Sequence, residues 1–218
     1  LALHSNTTGT NNTALGTFTL DASTTATDCT AVGYNCMTAN TTGINNTATG
    51  SSSLGTNTTG TNNTAVGVNA LLVNTGGHYN VAVGAFALDA NTTANNNTAV
   101  GTYSLTTSST GASNTGCGYG SLYLNTTGSS NVAVGLEALE ANTTGNYNTA
   151  CGTRALEANT TGIENTALGS GCLYSATTAS RNTAGGQNSQ VNTTTGSDNT
   201  SFGHDALYTN TTGTNNTA

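Results

Sequence analysis

Proline, tryptophan and lysine are absent from the chain, and charged side chains make up only 5% of its 218 residues. The two basic residues are Arg154 and Arg181, and the formal net charge is -7. A surface with so little positive charge could not neutralise nucleic-acid phosphates, which excludes nucleic acid as a partner. The sequence also lacks an apolar run long enough to cross a bilayer, which excludes membrane insertion.

What the sequence contains is one 17-residue unit, repeated without insertion or deletion from Asn12 onward. Copies read NVAVGLEALEANTTGNY from Asn131 and NTACGTRALEANTTGIE from Asn148. We number the places of a unit 1 to 17, with place 1 at Asn12 and at every seventeenth residue after it. Such a repeat predicts that residues 1–218 form a single array in which each unit contacts its neighbours. The chain starts at place 7 of one unit and stops at place 3 of another, from which we expect a window of a longer protein.

Several places are nearly constant, and their residue types predict where they lie. The larger apolar residues at places 4 and 9 predict the core, made by Val66, Leu71, Val83, Leu88, Val134, Leu139, Leu156 and Leu168. Asn and Gly at places 1, 5, 12 and 15 predict tight turns and stacked side-chain ladders, made by Asn63, Gly67, Asn131, Gly135, Asn142, Gly145, Asn148 and Gly152. All charged residues fall at places 7, 10 and 17, which therefore face solvent.

The pattern favours an all-β fold, a parallel β-solenoid with 17-residue coils. A unit of this length is too short for a helical pair, and its glycines would break helices. Roughly 1.5–3 kcal/mol for each buried apolar side chain is thin support for ordering a 17-residue coil. Small residues at places 3 and 8 would allow chains to approach closely around a shared axis. We therefore expect a homotrimeric or filamentous fibre, with an isolated solenoid as the alternative.

The motif NTAVG at Asn63–Gly67 and Asn97–Gly101, and the stretch Asn131–Gly145 with its later Ala-Leu and NTTG, resemble the tandem repeats of bacteriophage and large-virus tail-fibre proteins. The short NTAVG motif is also similar to the head repeats of trimeric autotransporter adhesins, whose units are shorter. The first resemblance covers the whole chain. It implies an extended, trimeric, β-rich fibre on a virion or outside a cell, with itself and a cell-surface glycan or protein as partners.

Two sets of residues are candidates for surface sites. Tyrosines at variable places are candidate contacts for sugar or protein, namely Tyr103, Tyr123, Tyr147, Tyr174 and Tyr208. Asn-x-Thr sequons are abundant, and the candidate glycosylation sites are Asn6, Asn40, Asn57, Asn91, Asn125, Asn142, Asn159 and Asn210. The alternative explanation for these asparagines is that they form turns and ladders.

Few residues have a pattern typical of catalysis. Glu140 and Glu157 occupy place 10 of adjacent units, a spacing compatible with a glycosidase-like pair or a cation site, with a solvated acidic edge as the alternative. The five cysteines show no metal-ligand spacing and stand where small apolar residues or Asn usually do, so we expect them buried and inert. We expect no metal, no cofactor and no enzymatic activity.

Columns of Thr at places 2, 13 and 14 raise a further possibility, an ice-binding solenoid. A Thr-x-Thr row is missing from the pattern, and adjacent residues of a strand point to opposite faces. The sequence therefore indicates a structural fibre shaft or adhesive extracellular filament, with an ice-binding solenoid or a glycosylated extracellular filament as alternatives.

Among the units, Asn182–Asp198 departs most from the pattern, with Gln190 in place of Leu, and we expect it to be the weakest.

Overall fold

The computed structural model describes residues 1–218 and is all-β, with twelve short parallel strands and no helix. The strands are β1 Thr13–Leu15, β2 Thr30–Val32, β3 Thr47–Thr49, β4 Thr64–Val66, β5 Val81–Val83, β6 Thr98–Val100, β7 Thr115–Cys117, β8 Val132–Val134, β9 Thr149–Cys151, β10 Thr166–Leu168, β11 Thr183–Gly185 and β12 Thr200–Phe202. Each strand covers places 2 to 4 and starts 17 residues after the one before it. One unit is therefore one coil of a parallel β-solenoid, which confirms the predicted fold class.

The chain divides into two compact units, Leu1–Ala112 and Ser113–Ala218, which contain β1–β6 and β7–β12. In the first, neighbouring strands pair in a constant register, as in Thr64↔Val81. The second keeps the same register, as in Val132↔Thr149. Within each unit, every place therefore stacks on the same place of the next coil.

Hydrogen bonds between coils continue beyond the strands and around the rest of each turn. In the coil 131–147, at least eight backbone amides donate to the carbonyl of a neighbouring coil, four examples being Val132 to Asn148 (2.8 Å), Leu139 to Ala155 (3.0 Å), Thr143 to Thr160 (2.9 Å) and Tyr147 to Ser129 (3.2 Å). The Thr143 hydroxyl adds a bond to the same Thr160 carbonyl at 3.0 Å. The backbone of one coil is therefore satisfied mainly by the coils on either side of it.

The interior is narrow and is filled by small side chains and, in most coils, one leucine. Place 9 is fully buried except in the two terminal coils, and its residues include Leu71, Leu88, Leu139 and Leu156. Place 3 is equally buried, with Ala133 as an example, and place 8 lies beside it, with Ala138. The small residues expected at a shared axis between chains therefore lie inside a single chain.

The prediction that place 4 belongs to the core is wrong. Val66, Val83 and Val134 are each exposed by 37–38% and Leu168 by 45%. The reason is the alternation of side chains along a strand, since an inward alanine at place 3 forces places 2 and 4 outward. The apolar residue that points inward in each strand is the small alanine, not the larger valine or leucine next to it.

Two columns of buried asparagine amides run through the interior. Within the coil 131–147, the Nδ2 atoms of Asn131 and Asn142 both donate to the Gly145 carbonyl, at 2.8 and 3.1 Å. Asn142 Nδ2 also donates to Asn125 Oδ1 in the preceding coil at 2.8 Å, and Asn131 Oδ1 accepts from the Asn148 backbone amide at 2.9 Å. Each buried amide is thus held by its own coil and by its neighbours, which offsets the cost of burying it.

The turns of each coil require left-handed backbone at fixed places. Gly135, at place 5, has φ +136°, and a Cβ built there would lie 2.6 Å from the Gly152 carbonyl oxygen. Places 7, 9 and 17 also have positive φ, for example Arg154 at 57°, Leu139 at 53° and Tyr147 at 59°. No Val, Ile or Thr occupies any of these three places in a chain rich in Thr, because β-branched residues are strongly disfavoured there.

The coil 182–198 has a polar residue at place 9, where the other coils have leucine or, in one case, Met37. Gln190 is fully buried, and its Nε2 donates to Ser201 Oγ at 3.0 Å and to the Thr183 carbonyl at 3.1 Å. Its Oε1 atom is buried without a hydrogen-bond partner. An unpaired buried acceptor costs about 1–3 kcal/mol, which gives a physical reason for the expectation that this coil is the weakest.

The asparagine column at place 12 also has an unfilled position. Asn159 Oδ1 is buried without a partner, because the next coil has Ala176 where the preceding coils have Asn. The substitution Ala176→Asn should supply the missing donor and raise the free energy of unfolding by about 1–2 kcal/mol. Denaturant unfolding measures the change. The matched control, Ala158→Asn at partly exposed place 11, should give no gain, and an Ala176→Asn variant no more stable than the parent would contradict the assignment.

Candidate functional surfaces

In each compact unit the outward side chains of the strands form a surface that we call the strand face, made by places 2 and 4. In β4 and β5 these side chains are Thr64, Val66, Val81 and Val83. Eleven of the twelve strands keep this orientation, with place 3 buried or half-buried between two more exposed neighbours, and the exception is β11, where Gly185 at place 4 is buried. No charged residue lies on this face in any strand. The strand face is therefore an uncharged surface of methyl and hydroxyl groups.

A second surface, the variable ridge, consists of the side chains at places 7 and 10. Four of its seven charged residues cluster around Arg154, whose Nε lies 2.9 Å from Glu137 Oε2 and 3.3 Å from Glu157 Oε2. Burial raises the pKa of Glu140, and the charges of Glu137 and Glu157 raise it further. The charge of Glu157 and a hydrogen bond to it also raise the pKa of Tyr174.

The pair Glu140 and Glu157 therefore lies in a cluster that already contains its own counter-charge. Arg154 contacts Glu137 and Glu157, and Tyr174 contacts Glu157 from the next coil. Exposed ion pairs of this kind contribute little to stability, because solvent screens them. The arrangement matches the solvated acidic edge better than an open site for a substrate or a cation.

Shallow surface cavities occur on the variable ridge where neighbouring side chains differ in size. One cavity of about 200 Å³ lies over Gly55 and is bordered by Asn35, Ser52 and Leu72. Another of about 240 Å³ is bordered by His4, Phe18, Asp21 and Leu1. Both are smaller than the roughly 300–1,000 Å³ typical of ligand pockets. No group of three or more His, Cys, Asp or Glu side chains is placed to hold a metal ion.

The candidate contact tyrosines do not form one patch. Tyr147, at place 17, is 66% exposed, and Tyr208, at place 10, is also exposed. Tyr103 is half-buried at place 7 and stacks on Phe86 with ring centroids 5.4 Å apart. Tyr123 and Tyr174 are half-buried at place 10. Tyr147 and Tyr208 therefore present the most surface for a partner.

Six of the eight candidate glycosylation sites are inaccessible in the folded chain, so the alternative explanation, that these asparagines form turns and ladders, holds for them. Fully buried asparagines are Asn40, Asn57, Asn91, Asn125, Asn142 and Asn159. In Asn142, the Nδ2 atom that would carry the glycan donates both ladder bonds. Asn6 is exposed and Asn210 half-buried, because each lies in a terminal coil. Sequons at place 17, such as Asn45 and Asn96, lie on the surface instead.

The cysteines separate into two groups. Cys29, Cys36 and Cys172 are buried, whereas Cys117 and Cys151 occupy place 4 and are exposed, which corrects the expectation that all five are buried. Burial raises the pKa of Cys36 and of Cys172 to about 11, and it also raises the pKa of Cys29. These three thiols stay protonated and unreactive near neutral pH, since the thiolate is the nucleophile.

The sequence contains a pattern that groups the residues of the strand face but does not show whether that face is buried or exposed. In the triplet at places 2 to 4, an alanine stands between two larger β-branched residues, as in Val132, Ala133 and Val134. An alternation with period two indicates which residues share a face, but it does not indicate which face is buried. The size of the side chains favoured the wrong face.

Comparisons with known proteins leave the function open. No family model matches the chain, and no curated protein matches it. The chain has no helix of the length and apolarity needed to span a membrane. The similarity to fibre and adhesin repeats therefore depends on the sequence motifs alone.

Thiol labelling tests the outward orientation of place 4. At pH 8 we expect Cys117 and Cys151 to react rapidly with a soluble aromatic disulfide reagent, and Cys29, Cys36 and Cys172 to react only after unfolding. The double variant Cys117→Ser, Cys151→Ser is the control and should abolish the rapid phase. Rapid reaction of all five thiols, or of none, would show that place 4 is not arranged as described.

Proposed function

We propose that the chain is a structural shaft, a segment of an extracellular or virion-surface fibre that extends toward a host or neighbouring surface and has no catalytic activity. The observation that supports this proposal is the direction of its hydrogen bonds. Backbone amides and buried asparagines bond mainly to coils 17 residues away, as in Leu139 to Ala155 and Asn159 to Asn142. A structure built in this way grows by adding coils and leaves its outer columns free to vary.

The mode of assembly is a separate part of the proposal. The resemblance to tail-fibre repeats implies a homotrimer, but the small residues at places 3 and 8 no longer support a shared axis, because they are buried within one chain. Association into a trimer or filament would then use outer surfaces. Exposed residues such as Tyr147 and Tyr208 are the candidate contacts for a cell-surface glycan or protein.

Deleting whole coils tests the shaft. Removal of 131–164, two complete units, joins Ser130 to Asn165 and restores the pattern of places across the junction. We expect a folded chain that is shorter by about 10 Å, the rise of two coils, in small-angle X-ray scattering.

Removal of only 131–138 is the matched control. It shifts every later residue out of its column and should unfold the coils around the junction. A two-unit deletion that unfolds, or that leaves the length unchanged, would contradict the proposal. The particle mass from the same experiment decides the assembly, since one chain is 21.5 kDa and a trimer is three times heavier.

A further inference from the structure

The strand face is most regular in the first compact unit. In β2 to β6 both outward places hold β-branched residues in every strand, and the pairs are Thr30 with Val32, Thr47 with Thr49, Thr64 with Val66, Val81 with Val83, and Thr98 with Val100. Threonine and valine have nearly the same shape. These ten side chains, which we call the Thr/Val array, therefore form a surface of uniform height.

The Thr/Val array is also regular in two directions. Neighbouring strands pair each outward place with the same place of the next strand, for example Val32 with Thr49 and Val66 with Val83. The side chains therefore repeat at about 4.8 Å across the strands and about 6.6 Å along each strand. Because β-branched side chains are stiff at χ1, the array holds its groups in place before any ligand arrives.

The threonine hydroxyls of the array differ from those elsewhere in the coil. At place 13, Thr41, Thr58 and Thr75 each donate their hydroxyl to the carbonyl of the next coil, at 2.9–3.1 Å. At place 2, the hydroxyls of Thr47 and Thr64 make no hydrogen bond within the protein. The hydroxyls at place 13 are already hydrogen-bonded to the backbone, whereas the hydroxyls at place 2 remain available to water.

A protein partner fits this surface poorly. Five three-residue strands cover about 240 Å² in plan, well below the roughly 800 Å² that each partner buries in a stable complex. The array has no tyrosine, tryptophan or arginine, the residues that supply most binding energy at protein interfaces, and consists of two types that are rare among such anchors. A second copy of the chain is therefore not the favoured occupant.

We propose that the Thr/Val array binds the surface of an ice crystal. Its methyl groups order the first water layer without hydrogen-bonding to it, and its free hydroxyls anchor that layer at regular intervals. The two repeats are similar to the oxygen spacings on faces of hexagonal ice, so the ordered layer can merge with the lattice. Binding needs no charged group and no cavity, and the array has neither. This activity goes beyond a role as a shaft and does not depend on it.

The gap between the melting point and the freezing point of a small ice crystal in protein solution tests the proposal. The parent chain should open this gap and shape the crystal into facets. Val83→Lys and Thr64→Lys, each of which places a long charged side chain in the array, should reduce the gap several-fold at equal concentration. Val83→Thr preserves the shape of the residue and should retain the activity.

The matched control is Leu168→Lys, which makes the same kind of change at place 4 of the second compact unit and should leave the gap unchanged. Circular dichroism checks that each variant is folded. Because the two lysine variants lie in different strands, a local loss of structure in one strand would not explain reduced activity in both. Round crystals without a gap for the parent chain would overturn the proposal, as would lysine variants that are as active as the parent. So would a parent that sediments as a dimer and becomes a monomer in Val83→Lys, since a second copy would then cover the array.

Discussion

The structure depends on hydrogen bonds between buried asparagine side chains. These side chains find their partners only because neighbouring coils place asparagine at the same positions. An unpaired buried amide costs several kcal/mol, and a lone coil could satisfy only part of one, the Nδ2 bond to its own carbonyl. Here the Nδ2 atoms at places 1 and 12 converge on one carbonyl, and the amides of successive coils bond to each other, as Asn142 does with Asn125 and Asn159. Inserting a single residue would displace both columns at once, which accounts for the constant 17-residue spacing.

The same dependence explains why so little apolar material is sufficient. Most coils contribute one leucine and a few small residues, and a core of that size would not order 17 residues by hydrophobic burial alone. Hydrogen bonds around the whole coil compensate for this small apolar core, because most backbone amides donate to a carbonyl of a neighbouring coil. Where the interior departs from the pattern, as at Gln190 and beyond Asn159, buried acceptors remain unpaired.

The architecture was predictable from the sequence, whereas the direction of individual side chains was predictable only in part. The 17-residue period predicted that each unit forms one coil of a β-solenoid. The charged residues at places 7, 10 and 17 indicated an outer surface. The outward valines were mispredicted because the larger apolar residue was expected inside, whereas the narrow interior accepts only small residues at place 3. The asparagines at place 12 were predicted both as ladder residues and as candidate glycan acceptors, and their bonds between coils, as in Asn142, support the ladder. The exclusion of β-branched residues from places 7, 9 and 17 was present in the sequence and marks the left-handed turns.

The two proposals use different parts of this arrangement. The proposed shaft depends on the interior, with its paired amides. The outer columns carry whatever recognition the chain has, and the Thr/Val array is the part of them that is most ordered. Because the interior imposes its period on every outer column, a regular lattice on the surface follows directly from the packing of the coils.

The exchange rate of side-chain amide protons, measured by NMR, tests the central role of the buried asparagines most directly. Asn142 and Asn148 are buried in their columns, whereas Asn146 of the same chain segment makes its amide hydrogen bond at the surface, to the Thr144 carbonyl. The account predicts that the amide protons of Asn142 and Asn148 exchange as slowly as the backbone amides of the same coils, and far more slowly than those of Asn146. Equal, rapid exchange at all three would show that the columns are open to water and do not hold the coils together.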